Sequence, residues 1–255
     1  MRPDAAAWRS YLGAFHHDAA GVTEEILARS RDAAGHDPYE RVAAVVAGLG
    51  TRARILDLAC GSAPLVERLE GVDYLGIDRS PEELALARRR APGARFVEGD
   101  ALDVVSACRF DVVICSMSLQ VLDPLADVLA GVAAVLRPGG LLVATVPSSG
   151  ALSATDKVRW LAVVSALRFR LRYPNDALVT RLPDLLATAG LDLVSDEQVR
   201  YTLPLRDRAD AERLIASLYL PGVPRARRRA AATVLHRTGS EIGLSLRHVV
   251  AARRR

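Results

Sequence analysis

The chain has 255 residues, 50% of them hydrophobic, and a formal net charge of +4 from 34 Lys and Arg against 30 Asp and Glu. That length bounds the answer to one sizeable core with embellishments. No apolar run reaches the ~18 residues of a membrane-spanning helix, and residues 1–21 carry acids and histidines where a secretion signal is apolar, so a cytoplasmic protein is expected and a membrane protein is not.

In chain order, residues 1–50 read as a helical cap, with helices over 4–19, 23–34 and 38–48. Glu24 and Glu25 suit the positive N-terminus of the second. From 51 to 255 the pattern is that of an alternating core. Short apolar runs rich in β-branched residues, over 53–59, 73–78, 94–100, 110–116 and 140–147, read as strands buried on both faces. Helical stretches over 64–70, 81–91 and 124–137 lie between them. Ser80, Pro81 and Glu83 spell a helix start: a capping hydroxyl, a first-turn proline and the acid of a capping box. The run Arg137-Pro138-Gly139-Gly140 stops a helix and turns the chain.

A helical insertion is expected around 148–175, where a helix over 156–173 puts Trp160, Leu161, Val164 and Leu167 or Phe169 near one face, as a lid or a packed crossover. Residues 176–190 read as a helix closed by Gly190, 191–205 as a long strand, 225–237 as a basic surface helix and 244–254 as the last strand. Strands alternating with helices give an α/β fold: a doubly wound, seven-stranded, mainly parallel sheet.

All the cations but Lys157 are arginines, and their runs at 88–90, 225–237 and 253–255 are short. They read as helix ends, a solvated helix face and a tail, so no nucleic-acid partner is expected. Cys60, Cys108 and Cys115 have neither metal-ligand nor disulfide spacing, which predicts no metal and a reducing compartment.

The candidate site begins at Ala59-Cys60-Gly61-Ser62-Ala63-Pro64, the loop beyond the carboxyl end of the first strand. In open α/β sheets that is where ligands bind. Asp57 precedes it, Asp78 ends the second strand, and Asp100 ends the third. Acids are poor strand formers and costly to bury unpaired. Each could cap a following helix, but three in succession point to a ligand. Asp78 is placed for the two hydroxyls of a ribose, and Asp100 for an adenine amino group. The loop lacks G-x-G-x-x-G, which disfavours a nicotinamide or flavin.

Residues 40–150 resemble the class I S-adenosylmethionine-dependent methyltransferases, within a Rossmann-like fold whose N-terminal helices act as a lid. The resemblance rests on LDLACGSAP (57 in its acid), YLGIDRS, FVEGDAL, FDVVICSMSLQVLDP and VLRPGGLLVATVP, in order. It implies S-adenosylmethionine, or its product S-adenosylhomocysteine, as ligand. Asp57 would organise the loop near the amino-acid part of the cofactor; Ala59 and Gly61 would let the backbone approach it. Asp78 would bind the ribose, Arg79 would lie beside the adenine, Asp100 and the Ala101 backbone would meet the adenine edge, and Ser116 would sit at the sulfonium. Ala63 departs from the family's glycine. At positive φ its Cβ costs about 1 kcal/mol; at a helix start, which Pro64 favours, it costs nothing.

Gln120 and Val121 stand where many relatives carry a histidine pair, so a general base from this segment is in doubt. The segment also lacks the tetrad of nucleic-acid base methylation. Other base candidates are His16 and His17, with Tyr11 near them; packing or helix-end roles account for these residues equally well. His236 and His248 read as structural, and Arg172, Tyr173 and Tyr201 as residues able to line a substrate pocket. The resemblance implies methyl transfer to a small molecule, plausibly in bacterial specialised metabolism. Its alternatives are a repurposed fold that catalyses a step such as ring closure, and a partner subunit of such an enzyme. A homodimer or a partner protein is left open.

Overall fold

A computed structural model of the chain describes residues 5–50, 52–101 and 109–255. Seven strands form one sheet in the order β3-β2-β1-β4-β5-β7-β6. They are β1 (Arg54–Leu58), β2 (Asp73–Asp78), β3 (Arg95–Glu98), β4 (Phe110–Ser116), β5 (Leu136–Ser148), β6 (Leu191–Pro204) and β7 (Glu241–Arg253). β1 to β5 run parallel, while β7 is antiparallel to both β5 and β6. The expected doubly wound, mainly parallel sheet is present. β1 lies between β2 and β4, so the winding reverses at its carboxyl end, beside the 59–64 loop.

The helices are α1 (Ala5–Asp18), α2 (Val22–Arg29), α3 (Pro38–Ala47), α4 (Pro81–Arg90), α5 (Leu125–Val135), α6 (Ala154–Leu167), α7 (Asp176–Val179), α8 (Leu182–Thr188), α9 (Arg208–Ala216) and α10 (Arg225–Thr238). Strand alternation divides β1 between two layers. Leu56 and Leu58 pack with Leu129 of α5 and Leu186 of α8. Ile55 faces the other way, with Tyr39 and Val42 of α3 and with Tyr74. A third cluster joins α6, α9 and α10. Cys60 and Cys115 are free and buried, and Cys108 lies outside the described residues.

Several expected helices are shorter, each for a local reason. The stretch 64–70 forms only a 3-10 turn over Val66–Arg68. An α-helix would give the Pro64 carbonyl to the amide of Arg68. Here the Arg68 guanidinium donates to that carbonyl at 2.6 Å, and its amide bonds Leu65 instead at 2.9 Å. The stretch 176–190 divides into α7 and α8 because Pro183 has no N–H for the Val179 carbonyl. Arg247 donates to that carbonyl at 2.6 Å. The second cap helix ends at Arg29, after which Arg31 and Thr202 exchange backbone hydrogen bonds at 3.0 and 2.7 Å. On α6, Val163 and Leu167 are buried and Trp160 packs against them, but Leu161 is 65% exposed and leaves the predicted face.

The loop after β1 alternates its handedness. Ala59, Gly61 and Ala63 all have positive φ, of 56°, 54° and 52°. Ala63 therefore does not enter a helix, which corrects the harmless reading of its Cβ. Its amide closes a turn on the Cys60 carbonyl at 2.9 Å, and its side chain is fully buried. The left-handed conformation costs about 1 kcal/mol, and the buried methyl returns about 0.8 kcal/mol. The two nearly cancel. Ala63→Gly is therefore expected to leave the unfolding free energy within about 1 kcal/mol of the parent in urea titration; a change above about 2 kcal/mol would contradict this balance.

Candidate active site

Asp78 holds the loop in place. Its Oδ2 accepts the Gly61 N–H at 2.8 Å and its Oδ1 accepts the Ser80 N–H at 2.8 Å. Burial pushes this carboxyl above its ordinary value, while the Ser80 and Gly61 amides hold it back. Neither Asp57 nor Asp78 caps a helix: the cap of α4 is Ser80, which accepts the Glu83 N–H at 3.2 Å. Each oxygen of Asp78 still has a lone pair to offer.

Asp57 shares a face of β1 with Ile55 and is 1% exposed. Its Oδ2 accepts from the Tyr74 hydroxyl at 2.7 Å, and its Oδ1 is buried without a partner. Burial pushes this carboxyl up to about 7; the Tyr74 hydroxyl lowers it and Asp78 raises it. Gly76 lies opposite Asp57 on β2. A Cβ there would meet the Phe96 ring at 2.8 Å and Cys60 Sγ at 2.9 Å, so the close approach beside Asp57 requires glycine. Asp100 lies 3.6 Å from the Arg79 guanidinium and 4.0 Å from that of Arg9.

Two cavities meet at this end of the sheet. The smaller, about 330 Å³, brings Ala59, Asp78, Arg79, Asp100 and Ala101 together with His16 and Arg9 of α1. The larger, about 620 Å³, is lined by Met117, Gln120 and Tyr173 among others. Neighbouring residues line the two, Gln120, Tyr173 and Asp176 the larger and Val121, Leu122 and Pro174 the smaller, so these segments lie between them. Ser116 lines neither cavity; its neighbour Met117, at a φ of 57°, lines the larger. Asp57 and Gly61 lie behind the smaller cavity, linked to it through the loop and Asp78.

The cap is tied to the loop and to α4 by carboxylates. Glu83 was expected to complete a capping box, but its side chain turns away from Ser80. It meets His16 Nδ1 at 2.8 Å and accepts the Gly21 N–H at 3.1 Å. Through Nε2, His16 meets the Tyr219 hydroxyl at 3.1 Å. His17 bonds Glu82 at 2.6 Å on the surface, a contact that raises its pKa. The Tyr11 hydroxyl accepts the Leu220 N–H at 2.7 Å. Ser62 donates to Glu24 of α2, which also pairs with Arg90 of α4.

Tyr219 and Asn175 carried no sequence signal. Tyr219 packs among Trp8, Tyr11, Phe15 and Tyr173, rings that come from distant parts of the chain. Tyr173 lines the larger cavity, Arg172 is exposed, and His236 is exposed on α10. Tyr201 is fully buried, its hydroxyl 2.7 Å from His248 Nε2. Burial lowers His248 to about 4. Among the described residues no group of His, Cys, Asp and Glu could hold a metal ion, and no helix is long and apolar enough to cross a membrane.

The raised Asp57 carboxyl has a consequence for stability. Its folded pKa, about 7, exceeds the unfolded value of roughly 3.9. Between these the folded state binds more protons, so its contribution is complete below about pH 4 and is lost as pH rises to 7. Asp57→Asn cannot titrate. Its stability relative to the parent is expected to rise over that window, by at most about 1.4 kcal/mol per pH unit, in urea titrations at successive pH values; a difference independent of pH would contradict the assignment.

This geometry has counterparts among known proteins. A methyltransferase-domain family profile matches residues 55–140. A trans-aconitate 2-methyltransferase from an Acidovorax species is 33% identical over 126 residues, covering 48% of this chain and 49% of that one. The chain thus spans about half the length of such trans-aconitate relatives. A ubiquinone biosynthesis O-methyltransferase from Cereibacter sphaeroides is 31% identical over 191 residues, 68% of this chain and 70% of that one. In structure, an S-adenosylmethionine-dependent methyltransferase from Geobacter sulfurreducens, crystallised with S-adenosyl-L-homocysteine, superposes with a TM-score of 0.57. It covers 92% of this chain and 97% of its own at 22% identity, a likeness of fold alone. With sequence likeness running over two thirds of the Cereibacter enzyme, this chain belongs to the class I S-adenosylmethionine-dependent methyltransferases.

Proposed function

We propose that the chain binds S-adenosylmethionine in the smaller cavity and methylates a small molecule held in the larger one. The observation that carries this reading is Asp78, which spans the Gly61 and Ser80 amides at the switch point and lines a cavity with Asp100.

The residues present suit this cofactor. Asp78 keeps lone pairs for the two ribose hydroxyls. Asp100 and the Ala101 backbone line the same cavity, placed for an adenine edge, with Arg79 beside them. Of the left-handed turn, Ala59 lines the cavity, where its backbone would meet the ligand's amino-acid part, while Gly61 is held behind it by Asp78. Beneath the turn, Asp57 Oδ1 is a buried acceptor in want of a donor.

When bound, S-adenosylmethionine supplies a methyl group already activated on a sulfonium. The chain's task is then to align and to exclude water. Ser116 and Met117 lead from β4 to the wall between the cavities, where the methyl would pass. No histidine lines the larger cavity among the described residues, and Gln120 cannot act as a base at neutral pH. Alignment across the wall is then the chain's main contribution, with Asp176 the one carboxylate among the described lining residues able to take a proton. His16 serves as a positioning residue: held by Glu83 and meeting Tyr219, it fixes α1 over the nucleoside.

Calorimetric titration of the full chain with S-adenosylhomocysteine tests this. Micromolar binding is expected, weakened at least tenfold, about 1.4 kcal/mol, by Asp78→Ala. Unchanged binding in that variant, or none to the parent at millimolar ligand, would contradict the proposal. Binding with no turnover across a broad acceptor screen would favour a repurposed fold instead.

A further inference from the structure

The larger cavity has an uneven chemistry. Its walls are apolar, with Leu27, Met117, Trp160, Val164, Leu218 and Leu246 among them. Among the described residues, the single cation in its lining is Arg247 and the single acid is Asp176. Three of the five Arg247 N–H groups are taken, and its charge is paired with a carboxylate outside the lining. The guanidinium grips Asp196 with two bonds, at 2.7 and 2.6 Å, and gives a third to the Val179 carbonyl freed by Pro183. Ser148, Gln198 and Ser245 are joined: the Ser148 hydroxyl donates to Gln198 Oε1 at 2.8 Å and lies 2.6 Å from Ser245 Oγ.

Gln120 differs from these. It is 2% exposed, and its Nε2 donates to the Met117 carbonyl at 2.6 Å. That bond fixes which end of the amide is oxygen. The Oε1 is buried and has no partner, and neither does the hydroxyl of Thr23 in the same lining. A buried acceptor without a donor is uncommon enough to call for a ligand. The Asn175 N–H donates to the Gln120 carbonyl at 3.1 Å, which brings Asp176 to this end of the cavity. Asp176 accepts the Tyr173 N–H at 3.0 Å, and its charge opposes an anion.

We propose that the larger cavity selects a neutral, largely apolar acceptor that donates one hydrogen bond, from a hydroxyl or N–H, to Gln120 Oε1. The choice deepens the methyl-transfer reading, since it takes this cavity as the acceptor site. Among the described lining residues an anionic acceptor would find the one cation paired with Asp196 and an acid nearby, and a charged acceptor of either sign would have to shed water among apolar walls. Apolar walls fill the rest of the volume and reward burial of a ring system.

Calorimetry with matched bicyclic probes tests this on the full chain, with S-adenosylhomocysteine present and absent. The probes are 1-naphthol, naphthalene, the anion 1-naphthoate and the cation 1-naphthylmethylamine. At neutral pH, 1-naphthol is expected to bind at least tenfold tighter than naphthoate and tighter than the amine. Gln120→Met is expected to bring the naphthol-to-naphthalene ratio close to one, and Leu218→Trp to abolish naphthol binding while S-adenosylhomocysteine still binds. If Gln120→Met does not fold, the comparison of charges on the parent chain decides. Equal or tighter binding of naphthoate or the amine, or no binding of any probe, overturns the proposal. The two readings fail separately: naphthol selectivity without S-adenosylhomocysteine binding would remove the cofactor assignment alone, and cofactor binding with a preference for the anion would remove this one alone.

Discussion

One carboxylate fixes the centre of the molecule. Asp78 stands at the end of β2 and takes the amide of Gly61 from the loop after β1 and the amide of Ser80 from the turn into α4. Both bonds are charge-assisted and largely removed from water, so each is worth more than a neutral pair at the surface. They set how the left-handed loop rises above the sheet. They also set where α4 begins, and with it the direction of Glu83. From Glu83 the constraint passes to His16 and Gly21, and so to the helices over the cavity.

This crowding of acids is costly by itself. Asp57, Asp78 and Glu83 lie close enough for their charges to oppose one another, and burial adds to the cost for Asp57 and Asp78. Buried acids with raised pKa values of this kind are concentrated at functional sites. Donors offset part of the cost: the Tyr74 hydroxyl on Asp57, two amides on Asp78, and His16 with the Gly21 amide on Glu83. In the proposed function a ribose and an ammonium would supply more.

Much of this was legible before folding. Buried strands announce themselves as short β-branched runs, and acids at their ends stand out because strands disfavour them. Asp78, Arg79, Asp100 and Ala101 reach one cavity because β2 and β3 are parallel neighbours. What stayed hidden depends on partners far along the chain. Nothing local to Pro64 says that Arg68 will take its carbonyl, nor anything near Pro183 that Arg247 will cover the gap left at Val179. Glu83 fits a capping box by spacing, yet a histidine 67 residues away claims it. Tyr219 has no motif at all; four aromatic rings and His16 give it a place. Ala63 was legible as a departure, but its positive φ and buried methyl, which offset each other, belong to the fold.

A crystal structure of the chain with S-adenosylhomocysteine would test the assignment of the two cavities most directly. The ribose hydroxyls are expected on Asp78, and the sulfur is expected to face the wall at residues 120–122, toward Met117 and Gln120. A nucleoside bound away from Asp78, or a sulfur turned from the larger cavity, would contradict the division into a cofactor side and an acceptor side.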